Sequence, residues 1–184
     1  MPHGITVREA IQRLDHYGLI REDAALALVD DASLDEDLEW HGYNSSAEAI
    51  VELSRELGIG FPVSCDRVML EDGYADALSA LSECAGDGVD ITNVRLDRSD
   101  ELTVRFEFNG EPQEWTVDDY DERYLDQMAF IENVYDLRPP GDREWAYVGN
   151  EEIYDNYFLF GEREKLRRLA ADFAVELQFS NGEG

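Results

Sequence analysis

Past Gly86-Asp87-Gly88 the apolar residues of this chain stop recurring every three to four positions and begin to recur every second one. Helices and strands therefore occupy successive stretches rather than alternating, which points to an α+β fold and away from an all-helical or parallel α/β one. Before the switch, Thr6-Val7-Arg8-Glu9 has the form of a capping box. Ala10, Ile11, Leu14 and Tyr17 then share one helical face, and Gly18 supplies the stop. Further helices are expected over 22–29, from Ser45-Ser46-Ala47-Glu48 to Gly58 with Ala47, Ile50, Val51 and Leu57 apolar, and over 72–84 with Tyr74, Leu78 and Leu81 in register.

After the switch, Leu102, Val104, Phe106 and Phe108 alternate with Thr103, Arg105 and Glu107. Asn109-Gly110 begins a hairpin connection, and Trp115 and Val117 continue the pattern on the return strand. With 91–96 on the other side this makes a three-stranded antiparallel meander. A helix is expected over 121–135 on Tyr124, Met128, Ile131 and Tyr135, ended by Arg138-Pro139-Pro140-Gly141. Two further strands, 144–148 and 154–160, lead to a helix carrying Leu166, Leu169, Ala170 and Phe173, and a short strand over 175–179 closes the pattern. The expected architecture is a helical part, 1–86, packed on an antiparallel sheet with helices, 87–184, as one compact body.

The charge is the outlying quantity. Among 184 residues there are 43 acids, 15 bases and a net charge of −28. Residues 1–90 hold 20 acids and 5 bases, so they carry −15 and the remainder carries −13. The acidity coats the body and is not a tail. Such self-repulsion is not a requirement of folding, and it favours a basic partner. Direct nucleic-acid binding is disfavoured because phosphate affinity comes from Lys and Arg, and Lys165 is the sole lysine. An anionic membrane surface is disfavoured on the same ground. No apolar run approaches the roughly 20 residues of a membrane helix. Met1–Gly4 lacks the charged and apolar regions of a signal peptide, so a cytoplasmic location is expected.

Three acidic excesses are candidate partner-binding sites. The first mixes carboxylates with an aromatic: Asp35, Glu36, Asp37, Glu39 and Trp40, within a stretch read as a solvated loop. The second is a stripe, Glu48, Glu52 and Glu56, at a spacing where like charges destabilise a helix by a few tenths of a kcal/mol per pair. A basic partner would relieve it. The third is Asp118-Asp119-Tyr120-Asp121-Glu122, where a strand hands over to a helix. One or two of its acids can serve as N-caps. Partner contact and Ca²⁺ binding are the alternatives for the others, although EF-hand spacing is absent.

Motifs for chemistry are lacking: no Gly-x-Ser-x-Gly, no His-Glu-x-x-His, no Walker loop. His3, His16 and His41 are scattered, and Cys65 and Cys84 have no metal-type spacing. The thiols read as small buried side chains, with a disulfide left open. Neither catalysis nor a cofactor is expected.

Residues 100–179 resemble small bacterial immunity proteins, the intracellular neutralisers of polymorphic and contact-dependent toxins. The resemblance rests on Phe106-Glu107-Phe108-Asn109-Gly110, Trp115 ahead of Asp118 to Asp121, Leu125 with Phe130-Ile131, Arg143-Glu144-Trp145-Ala146-Tyr147 and Asp155 to Phe160. It implies an inhibitor that covers the active site of a basic toxin domain, such as a nuclease. Toxin-contacting residues are not fixed in these families, so none is carried over. Two other readings explain the acidity. Adaptation to high salt fits 1 Lys against 14 Arg and would show as unfolding at low KCl. A DNA mimic would copy phosphate spacing with carboxylates to occupy a nucleic-acid-binding protein.

Overall fold

The computed structural model describes residues 4–39, 43, 45–63, 70–118 and 125–180. The chain is α+β and begins with three helices: α1 (Val7–Tyr17), α2 (Glu22–Leu26) and α3 (Ser46–Glu56). They are followed by strand β1 (Gly60–Val63) and α4 (Leu70–Ala85). The meander is β2 (Ile91–Asp97), β3 (Thr103–Phe108) and β4 (Glu111–Thr116). Next come α5 (Gln127–Asn133) with a 3₁₀ turn (Val134–Asp136), β5 (Arg143–Val148), β6 (Asn156–Glu162), α6 (Arg163–Phe173) and β7 (Leu177–Phe179).

Local chemistry accounts for the clearest boundaries. At the start of α1 the Thr6 hydroxyl accepts the Glu9 N–H at 3.2 Å, and the Glu9 carboxylate accepts the Thr6 N–H at 2.9 Å. Gly18 ends the helix at φ +72°, a conformation that costs a residue with a Cβ about 1 kcal/mol or more. The β3–β4 hairpin turns on Asn109 (φ +53°) and Gly110 (φ +81°), the two positive φ values that a type I′ turn requires.

The strands form two sheets. The meander stands by itself in the order β2-β3-β4, and the other sheet is antiparallel in the order β1-β6-β5-β7. Strand β1 is a departure from the sequence reading, which left 60–63 outside any element. Four residues, one of them Pro62, are too few to show a period. The strand forms because β6 offers it a partner, with Gly60 opposite Leu159 and Val63 opposite Asn156.

The four-stranded sheet divides the interior. One face carries Ala146, Val148, Tyr157 and Leu159 into a largely aliphatic cluster with α1, α3 and α6. The other carries Trp145, Phe158 and Phe160 into an aromatic cluster with α4, the meander and α5. β6 is central and buried on both faces. Both clusters combine residues from before and after position 86.

The helix expected over 121–135 is shorter. Residues 121–124 lie outside the described residues, and α5 begins only at Gln127. Its core contacts are Ala129 and Phe130, followed by Val134, whereas Met128 is 52% exposed. A seven-residue helix cannot present the longer periodic stripe that Tyr124, Met128, Ile131 and Tyr135 suggested. No helix among the described residues is long and apolar enough to cross a membrane.

Candidate functional site: an acidic cleft between the 28–39 loop and α3

The first acidic run is an ordered strap rather than a freely solvated loop. The expectation of a solvated loop rested on the density of acids, among which Leu34 and Leu38, spaced four apart, are too few to show a period. Both are buried. The strap carbonyls of Glu36 and Leu34 accept the Val7 and Arg8 N–H groups at 3.1 and 2.9 Å. Those two donors belong to the first turn of α1 and have no partner within the helix. Thr6 bridges to Asp37, and the Leu38 N–H donates to the Ile5 carbonyl at 2.8 Å.

Anchoring the leucines turns the intervening acids outward. Asp35 and Glu36 are exposed, and Asp35 pairs with Arg8 at 3.0 Å. Asp37 is half-buried and accepts the Glu39 N–H at 3.0 Å. Glu39 accepts a hydrogen bond from Ser46 Oγ in the first turn of α3, which ties strap to helix. Trp40 lies outside the described residues.

Within the glutamate stripe the three positions play different parts. Ser45 caps α3 by accepting the Glu48 N–H at 3.2 Å, leaving the Glu48 side chain half-buried. Glu52 accepts from Arg55 Nε at 3.0 Å and from the Tyr157 hydroxyl of β6, so it joins helix to sheet. Glu56 is exposed, and among the described residues its carboxylate holds no ion pair.

Strap and α3 meet around a cavity of about 350 Å³. Buried Val7, Leu38, Ala49 and Leu53 form its floor, while exposed Leu28, Asp30 and Glu56 reach its rim. Leu28 is 66% exposed, one of three large hydrophobic residues so placed among the described ones. Tyr43 lines the same cavity. Its phenol is pushed above the ordinary tyrosine value, first by burial and then by the negative charges of Glu52 and Glu56. The Arg55 guanidinium acts in the opposite direction.

The third acidic run is not part of this site. Asp118 follows β4, and its N–H donates to Asp126 Oδ2 at 2.9 Å. Asp119, Tyr120, Asp121 and Glu122 lie outside the described residues. The N-cap of α5 is Asp126, which the sequence reading did not single out. It is 5% exposed and accepts the Met128 and Ala129 N–H groups at 3.0 and 3.3 Å. A single Asp four positions beyond a denser acidic run gave no composition signal.

The tyrosines divide as well. Tyr157 is buried and donates to Glu52, Tyr147 donates to Asn156 Oδ1 at 2.6 Å, and Tyr154 is 89% exposed. Cys84 is a free, half-buried thiol whose pKa burial pushes up to about 12; Cys65, His3 and His41 lie outside the described residues. Among the described residues no group of three or more His, Cys, Asp or Glu side chains is placed to hold a metal ion. The cleft thus sets an exposed leucine beside two carboxylates, Asp30 and Glu56, that hold no ion pair among the described residues. Comparison with protein-family models, curated proteins and solved structures finds no match for the chain.

Proposed function

We propose that this chain is an acidic binding protein that neutralises a basic protein partner, in the manner of an immunity protein occluding a bacterial toxin domain, with no catalytic step of its own. The observation that carries this reading is that the first acidic stretch is tied to the start of α3 through Glu39 and Ser46, with Asp30 and Glu56 lining one cleft between them. Net charge of −28 would raise the encounter rate with a cationic partner by orders of magnitude. Residence time would come from desolvated apolar contacts, for which Leu28 is exposed. A cytoplasmic site of action accords with this role.

The test is co-purification and calorimetry with a basic toxin domain encoded beside this chain. The expected result is a one-to-one complex of nanomolar affinity that weakens steeply between low and physiological salt. Absence of a complex at low ionic strength overturns the proposal.

A further inference from the structure

The tip of the β3–β4 hairpin joins a chemically labile sequence to a tightly held side chain. Among the asparagines of the chain, only Asn109 and Asn181 are followed by glycine, and Asn181 lies outside the described residues. Glycine has no Cβ, so the backbone nitrogen after such an asparagine is open to close approach. Asn109 is exposed, yet both ends of its carboxamide are engaged. Its Oδ1 accepts the Asp90 N–H at 2.7 Å, and its Nδ2 donates to the Gly88 carbonyl at 3.0 Å. The Asn109 backbone N–H donates to the Asp90 carbonyl at 2.8 Å. An N–H requires an oxygen and a carbonyl requires a donor, so these partners fix which way the carboxamide faces.

An asparagine before glycine can modify itself with water as the only co-reactant. The Gly110 backbone nitrogen attacks Cγ of Asn109 and gives up its proton. A bond forms between that nitrogen and Cγ, the bond from Cγ to Nδ2 breaks, and the departing NH₂ leaves with the proton as ammonia. Water then opens the resulting succinimide at one of its two carbonyls, giving aspartate or isoaspartate. For Cγ to turn towards the Gly110 nitrogen, the carboxamide must let go of both Gly88 and Asp90. The clasp that joins the hairpin to the 86–90 connection therefore also blocks the reaction.

We propose that Asn109 is a self-modification site, held dormant by this clasp and released when the 86–90 connection opens. The step does not depend on which partner the cleft takes. It also runs one way. Aspartate at this position still accepts the Asp90 N–H, but it sets a second oxygen against the Gly88 carbonyl where Nδ2 donated, and it adds charge to a connection that already holds Asp87 and Asp90. Isoaspartate adds a methylene to the backbone of a two-residue turn whose Asn109 and Gly110 both have positive φ, and so disturbs the β3–β4 register. Each product makes the clasp harder to re-form.

The test incubates the full chain at mildly alkaline pH, folded in buffer or unfolded in urea. Mass spectrometry then follows the tryptic peptide 106–123, which contains Asn109 and not Asn181. The unfolded chain should convert Asn109 to aspartate and isoaspartate. The folded chain should do so about tenfold more slowly or less, because only the opened fraction reacts. Gly88→Ala should speed the folded chain several-fold: φ there is +101° and an added Cβ would meet Pro140 Cγ at 2.9 Å, which displaces the carbonyl that Nδ2 needs. Ser82→Ala, which frees the Val89 carbonyl held at 2.9 Å, should act in the same direction more weakly. Asp126→Ala weakens the fold elsewhere and should leave the Asn109 rate unchanged. Circular dichroism reports whether each variant is folded, and Ser82→Ala decides alone if Gly88→Ala is not. Equal rates in the folded and unfolded parent chain overturn the proposal, as does an inert Asn109 in urea. So do folded connection variants that react no faster than the parent, or an Asp126→Ala rate raised as much as theirs.

Discussion

The two sides of the four-stranded sheet are stabilised by different chemistry, although β6 serves both. On the α4–meander side the core is a chain of aromatic rings. Phe106 meets Trp115 at 5.0 Å and Trp115 meets Phe130 at 5.2 Å, both edge-to-face, while Trp145 contacts Phe61 and Phe160 at 5.7 and 4.3 Å. Such pairs add about 0.5–1.5 kcal/mol each beyond burial of their area. An arginine joins this packing, Arg143 lying over Phe160 at 4.7 Å; Arg163 lies over Phe179 of the opposite cluster at 4.8 Å while binding Glu144 through two nitrogens at 2.7 and 2.8 Å.

On the α1–α3–α6 side the core is aliphatic, and tyrosine–carboxylate hydrogen bonds tie its edges: Tyr17 to Asp172 and Tyr157 to Glu52. That side also holds the cleft. A cavity of about 350 Å³ lies between the strap and α3 on this side. The interaction surface proposed above lies on the aliphatic half.

The largest expected effect comes from breaking the aromatic side. Trp145→Ala removes a fully buried ring and orphans the Leu137 carbonyl that accepts its indole N–H at 2.9 Å. Urea unfolding should show a loss of about 3–5 kcal/mol. A loss below 1 kcal/mol would mean that the two sides are not stabilised differently.

Asp126→Ala is smaller. It removes the cap of α5 and the acceptor of the Asp118 N–H, for an expected cost of about 1–2 kcal/mol by the same measurement. It should leave binding at the cleft unchanged, because Asp126 lies in the aromatic half.

The helical side should be singled out by alkaline pH. Burial, followed by the hydrogen bond to Asp172, pushes the Tyr17 phenol from about 10 up to about 12, and Tyr157 moves in the same direction for the same reasons with Glu52. A folded-state pKa raised above the unfolded one contributes stability that is complete below about pH 10. It is lost as pH climbs through about 12. Stability followed by denaturant titration should therefore fall over that window. Tyr17→Phe and Tyr157→Phe should each flatten the fall without abolishing it, since burial also raises Tyr135 and Tyr147 on the other side. An unchanged slope in both variants would show that these hydrogen bonds do not tie helices to sheet.

Legibility in the sequence followed the range of the interactions. The α1 capping box, the Gly18 stop, the Ser45 cap and the Asn109-Gly110 turn were all readable, because each depends on residues within four positions of one another. The meander was readable because one buried face imposes period two over six residues. Strand β1 was not, since it is defined by a partner far along the chain, Leu159 for Gly60; the α5 cap is local, Asp126 to Met128 and Ala129, but the denser acidic run before it drew the expected helix start to 121.

For the site, the sequence located the acids but not their arrangement. Composition and spacing by themselves determined an α+β chain with a negative surface and three local acidic excesses, because charge and periodicity are properties of order along the chain. Only tertiary structure decided that Leu34 and Leu38 pin the first excess across α1, that Glu52 is taken up by Tyr157, and that Glu56 and Asp30 line one cleft. The physical reason is that a carboxylate is available to a partner only when no neighbouring donor in the fold has claimed it, and those neighbours come from distant segments.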